Sequence, residues 1–106
     1  MPKYMFKAHY GSKGAAGVLS QGGASRRDAV EKAAKSVGGS LDSFYFAFGG
    51  TDAFVVVDLP DNATAATLAL TVSSSGVVGV ETAVLIDPDD LVPGGSGSPE
   101  YRAPGA

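Results

Sequence analysis

The chain has no cysteine and no tryptophan, a single histidine, and only eight lysines and arginines among 106 residues. Without cysteine there is no disulfide, no thiolate nucleophile and no Cys-based metal site. One histidine cannot build a multi-histidine centre within a subunit, so a metal would have to be held by carboxylates or by a second copy; neither metal nor cofactor is expected. The basic residues are scattered and the formal net charge is −3, which excludes the concentrated positive footprint of a nucleic-acid binder. No apolar run is long enough to span a bilayer: the longest uncharged stretch, residues 62–80, is broken by Thr, Ser and Gly. The start, Met1-Pro2-Lys3-Tyr4, carries no apolar signal core. The expectation is a cytoplasmic protein that binds neither nucleic acid nor membrane.

What is present suits one small globular domain. Hydrophobic residues make up 44% of the chain, an ordinary proportion for a folded protein. A domain this short buries a modest share of its surface and often gains by self-association. Residues 3–10 alternate, with Tyr4, Phe6, Ala8 and Tyr10 on one side and Lys3, Met5, Lys7 and His9 on the other, which predicts a strand. The glycine-rich segment 11–23 is expected to be soft, with at most a short helical turn over residues 15–20. Ser25-Arg26-Arg27-Asp28 resembles a capping box. The helix it opens should run to about Val37 and bury Ala29, Val30, Ala33, Ala34 and Val37. Asp28–Lys32 and Glu31–Lys35 are acid-to-base pairs at helical spacing on its wet side.

Residues 41–48 and 53–59 read as two strands joined by a tight turn, a hairpin, with Phe44, Phe46 and Phe48 on one face. Pro60 ends the second strand. Asp61 or Asn62 caps a helix over residues 63–74, with Ala65, Leu68, Ala69 and Val72 inward. Residues 77–86 form a last strand, and residues 87–91 a helical turn with Pro near its start. The domain occupies residues 1–92, and residues 93–106 form a flexible Gly, Ser and Pro tail.

The order β-α-β-β-α-β defines an α+β, ferredoxin-like fold: a four-stranded antiparallel sheet with two helices on one face. The other face would carry Met5, Lys7, His9 and part of the aromatic strands. A half-apolar sheet face marks an interface, and a second copy of the same face is the simplest cover. A homodimer with facing sheets is therefore expected.

These residues resemble the GYD-domain family of small bacterial proteins, grouped with the dimeric α/β-barrel proteins. The resemblance spans about residues 2–91. It rests on Tyr4-Met5-Phe6-Lys7-Ala8, Arg26-Arg27-Asp28-Ala29, Phe44-Tyr45-Phe46-Ala47-Phe48-Gly49, Val55-Val56-Val57-Asp58-Leu59-Pro60-Asp61 and Val80-Glu81-Thr82; the ending Tyr101-Arg102-Ala103-Pro104-Gly105 is similar to one branch. It implies the ferredoxin-like fold and the dimeric barrel, but no particular reaction. The family's Gly-Tyr-Asp triplet reads Gly50-Thr51-Asp52 here. A ligand role of that Tyr would be lost in this chain, whereas a turn-shaping role of Gly and Asp would be kept.

His9 is the one side chain that titrates near neutrality unaided, and so the candidate general base; the competing reading is a hydrogen-bonded strand residue. Lys7 and Glu81 are expected on neighbouring strands, as a structural ion pair or as ligand contacts. Tyr45 and Asp52 complete the candidate ligand-binding set, against packing for Tyr45 and turn capping for Asp52. Arg26 and Arg27 lie in a first helical turn, where positive charge opposes the helix dipole. That placement suits an acidic ligand or a partner carboxylate, unless Arg27 simply pairs with Glu31. Tyr101 and Arg102 either anchor on a partner subunit or belong to a free tail.

The glycines at 11, 14 and 17 lack the context of a dinucleotide fingerprint, and Lys13-Gly14 is no phosphate loop. Asn62-Ala63-Thr64 matches a glycosylation sequon but reads as a helix cap. Three functions stay open on the residues and on what the resemblance implies. One is a homodimeric binding or structural module, empty or holding a small apolar molecule between its sheets. Another is a cofactor-free monooxygenase or isomerase of a small aromatic substrate, using His9. The third is a higher-order assembly built through the uncharged second helix.

Overall fold

The period-two pattern of residues 3–10 becomes strand β1 (Lys3–Tyr10), with Tyr4, Phe6 and Ala8 buried. The computed structural model describes residues 1–95, 97 and 99–106. After β1 come α1 (Ser12–Gln21), α2 (Gly23–Ser36), β2 (Ser40–Phe46), β3 (Ala53–Asp58), α3 (Asn62–Ser73) and β4 (Val78–Leu85), then one 3-10 turn at Pro88–Asp90. The strands form one antiparallel sheet in the order β2-β3-β1-β4. This is the ferredoxin-like arrangement expected.

Register sorts the side chains. Tyr4, Phe6 and Ala8 stand opposite Val57, Val55 and Ala53 of β3, and all six are buried on one face. Leu59, also fully buried, continues that row beyond the strand. Helix α2 lies over β2 and α3 over β4. Ala34 of α2 and Ala65 and Leu68 of α3 are buried there, while Val30, Ala33, Val37, Ala69 and Val72 are half-buried against the same core. The Tyr4 hydroxyl, inside this core, donates to Asn62 Oδ1 at 2.7 Å, so a buried polar tip reaches the first turn of α3 and finds its acceptor.

Three expectations need correction. The glycine-rich segment is a ten-residue helix, α1, rather than a short turn. Its glycines disfavour helix by propensity, and it buries none of its residues; what ties it down is its close approach to the residue before β4. Gly14 sits so close to strand β4's approach that an added Cβ would lie 2.5 Å from the Val77 carbonyl oxygen, and the Gly11 N–H donates to that same oxygen at 3.0 Å. Helix α2 begins at Gly23, two residues before the expected box, and no side chain caps it. Gly22 takes a positive φ of 87° at the joint between the helices, a conformation that glycine adopts without a steric cost. Finally, β2 stops at Phe46, so Phe48 lies in the turn, fully exposed, rather than sharing the face of Phe44 and Phe46. A bulge between Leu41 and Ser43 shifts the pairing, which brings Leu41 opposite Val57 and onto the inner face with Phe44.

Asp61 is the cap of α3: its carboxylate accepts from Thr64 N at 2.8 Å and Thr64 Oγ1 at 2.7 Å. These bonds hold the Asp61 carboxyl below its ordinary range. Of the two expected α2 pairs, Glu31–Lys35 is formed at 2.9 Å, and Asp28 meets Arg27 instead, at 3.3 Å. The described residues of 93–106 are all exposed and form no helix or strand; Ser96 and Ser98 of the expected tail lie outside the described residues. Among the described residues, no helix is long and apolar enough to cross a membrane.

Candidate functional site

The sheet face without helices gathers four of the five candidate ligand-binding residues. Across the four strands, Tyr45 pairs with Phe54, Phe54 with Lys7, and Lys7 with Glu81. The row therefore runs aromatic, aromatic, cation, anion. His9 lies one pleat further along β1, opposite Gly79, where the facing strand offers no side chain. His9 Nε2 lies 3.7 Å from Glu81 Oε2, and among the described residues no ion pair joins Lys7 to Glu81. With the imidazole 40% and the carboxylate 71% exposed, water screens this contact strongly. Around the polar row lie Met5, Val56, Ala83 and Leu85, all half-buried, with Phe54 37% and Tyr45 70% exposed.

At the far end of this face Lys3 Nζ donates to both Asp58 carboxylate oxygens, at 2.9 and 3.1 Å, and approaches Asp42 at 3.5 Å. The hydrogen bond to Asp58 chiefly, with the Asp42 charge behind it, raises the Lys3 ammonium above its usual range.

Asp52, the fifth candidate, is committed elsewhere. Its carboxylate accepts from the Tyr10 N–H at 2.8 Å. Its own N–H donates to the Ala8 carbonyl, and its carbonyl accepts from Ala47 N–H, both at 2.9 Å. Asp52 thus ties the hairpin turn to the end of β1, which is the turn-shaping role weighed against ligand binding.

A cavity opens on the opposite face, where the sequence pointed to packing. Helices α2 and α3 sit over the outer strands and part over the central ones. Between them lies a cleft of about 310 Å³. Of its sixteen lining residues only Tyr10, Arg26 and Ser75 carry a polar side chain; the floor is Phe6, Ala8 and Val55, and the walls include Val30, Leu68 and Val72. His9 is not among them. A smaller space of about 170 Å³ adjoins it beneath α1, and Tyr10, Arg26, Val77 and Val78 line both. Lys13 and Gln21 line only the second.

Arg26 and Arg27 diverge here. Arg27 turns out to Asp28. Arg26 lines the cleft, and its Nε is shut off from solvent with no hydrogen-bond acceptor among the described residues. Leaving a buried donor unpaired costs on the order of 1–3 kcal/mol. Helical spacing was the available signal: Arg26 precedes Val30 by four residues and so shares the stripe of Ala29, Val30 and Ala33.

The sequence model of the GYD domain matches residues 4–92 of the chain. No curated protein and no solved structure matches it at significance. The chain belongs to the GYD-domain family.

Proposed function

We propose that this member of the GYD-domain family is a homodimeric module that binds a small apolar molecule, and that the molecule lies in the cleft between α2, α3 and the sheet. The cleft is the observation that carries this reading. Its volume, about 310 Å³, is at the lower end of ligand pockets, and its lining combines a large apolar wall with a few polar groups, as such pockets do. It differs from the space between facing sheets anticipated from the sequence, and His9, the candidate base, lines neither this cleft nor the smaller space beside it.

The test is a titration of the full chain with indole and with 1-octanol, followed by methyl resonances. Shifts at Val30, Leu68 and Val72 are expected, and Ala69→Phe, which fills the cleft, should abolish them. Shifts confined to Met5, Val56 and Leu85 would move the ligand to the open sheet face. No shift with either compound would remove the binding reading.

A second copy covers that open face. Met5, Phe54, Val56 and Leu85 supply its apolar part, and the face carries both Lys7 and Glu81, so a two-fold can set opposite charges against each other, as a self-complementary interface requires. Phe54→Glu is expected to convert a dimer into a monomer in light scattering at micromolar concentration. A monomeric unsubstituted chain would end the dimer proposal, and a species larger than a dimer would favour assembly.

A further inference from the structure

We propose that Arg26 anchors an anion in the inter-helix cleft, and that the molecule bound there is an amphipathic carboxylate whose head meets the guanidinium while its tail fills the apolar space. This rests on the cleft being a binding site and names the chemistry it selects.

Four observations converge. The Arg26 Nε is buried without an acceptor among the described residues, and none of the residues lining the two spaces around it is Asp or Glu. The described residues therefore offer this N–H no carboxylate where the side chain lies. Second, Arg26 is the fourth residue of α2, whose first turn has no acidic residue and no side-chain cap. A cation there opposes the helix dipole, and an added anion would meet both the guanidinium and the positive helix end. Third, Arg26 lines both the almost wholly apolar cleft and the smaller adjoining space, which Lys13 and Gln21 also line. A molecule spanning the two needs an apolar body and one polar, negative end. A carboxylate suits a single fork of guanidinium donors. Fourth, the main space sets a scale: at roughly 30 Å³ per water-sized group, the cleft of about 310 Å³ holds about ten non-hydrogen atoms, so a molecule the size of octanoate fits with its head at the Arg26 edge.

The probes are octanoate and 1-octanol, titrated calorimetrically into the full chain and into Arg26→Met and Arg26→Lys. Arg26→Met is expected to weaken octanoate about 10- to 100-fold, the usual range for losing a charge-assisted hydrogen bond, while leaving 1-octanol unchanged. Arg26→Lys should retain part of the preference. Retained 1-octanol binding also shows that the variant is folded. Should Arg26→Met not fold, the Arg26 Nε–H resonance of the unsubstituted protein decides: it should move with octanoate and not with 1-octanol. If octanoate and 1-octanol bind alike and neither Arg26 substitution matters, the carboxylate assignment is wrong and the apolar cleft stands. If neither compound binds, both fall.

Discussion

Val56 and Val57 are neighbours in β3 with the same side chain, yet they live in different environments. Val57 is wholly buried between sheet and helices, whereas Val56 is half-buried on the face the helices leave bare. The same division runs along β1, where Tyr4, Phe6 and Ala8 are buried and Met5, Lys7 and His9 are not. One face thus holds nearly all of the stabilising apolar burial, at about 1.5–3 kcal/mol for each fully buried large side chain. The other holds four of the five candidate ligand-binding residues, Lys7, His9, Tyr45 and Glu81. Chemistry-bearing residue types and an enclosed space turn out to lie on opposite sides of the sheet, and Arg26, on the cleft side, is the exception that combines them.

Truncating the two valines in turn should separate the faces by the largest margin. Val57→Ala is expected to cost about 2 kcal/mol or more, from lost transfer energy and a residual cavity. Val56→Ala should cost about 1 kcal/mol or less in the monomer, since much of its surface stays wet there. Chemical denaturation at several protein concentrations measures both. Equal and concentration-dependent losses would mean that the open face is closed by a second copy; equal losses independent of concentration would contradict the burial described for Val56.

Why one face was easier to read follows from how each signal arises. Strict alternation in residues 3–10 and the stripes of α2 and α3 are local patterns, so four strands, two helices and most of the core were legible. The bulge at Leu41–Ser43 was hidden because it changes parity without changing composition. Helix α1 was hidden because its glycines speak against helix, and only contact with Val77 reveals why small residues are needed. On the open face, strand parity pointed to the side of Lys7, and topology to Glu81 on the neighbouring strand; the place of Tyr45 in the same row was not read from either. The cleft was not legible, because the spacing between two helices depends on which strands they cover, and no periodicity within either helix encodes that. Arg26 lay between these cases: its awkward place in a first turn was visible, its inward direction only implicit.

Helix α1 supplies the next test, since it closes the helix-bearing face at the Tyr10 end and the bare face has no counterpart. Gly14→Ala forces a Cβ against the Val77 carbonyl, a backbone atom that cannot swing aside, and is expected to cost about 1–3 kcal/mol. Gly17 has open space where its Cβ would go, so Gly17→Ala should stabilise the helix by roughly 0.5–1 kcal/mol. Amide exchange across Ser12–Gln21 should quicken in the first variant and slow in the second. Identical behaviour of the two would show that α1 does not rest on the β4 approach.

The smallest effect separates the faces by pH. Asp61 secures the start of α3, which has no charged residue of its own. Its folded carboxyl is held down by the bonds from Thr64, so its contribution is present above the ordinary carboxylate range and is lost as pH falls through the depressed value. Lys3 works in the opposite sense on the bare face: its raised ammonium contributes below its ordinary value, and that contribution is lost as pH rises through the raised one. Glu31 and Lys35 on α2 shift in the same two directions, so whole-protein titration alone cannot assign the losses. Asp61→Asn keeps a capping acceptor but removes the titration. Its melting temperature should therefore lie within a few degrees of the parent at neutral pH, with the gap narrowing towards acid. Lys3→Met should show its gap at neutral pH and lose it towards strong alkali. A gap for Asp61→Asn that stays constant from neutral to acid pH would mean that the Thr64 contacts do not distinguish the charged carboxylate from a neutral amide, and that α3 is held to the sheet by its buried face alone.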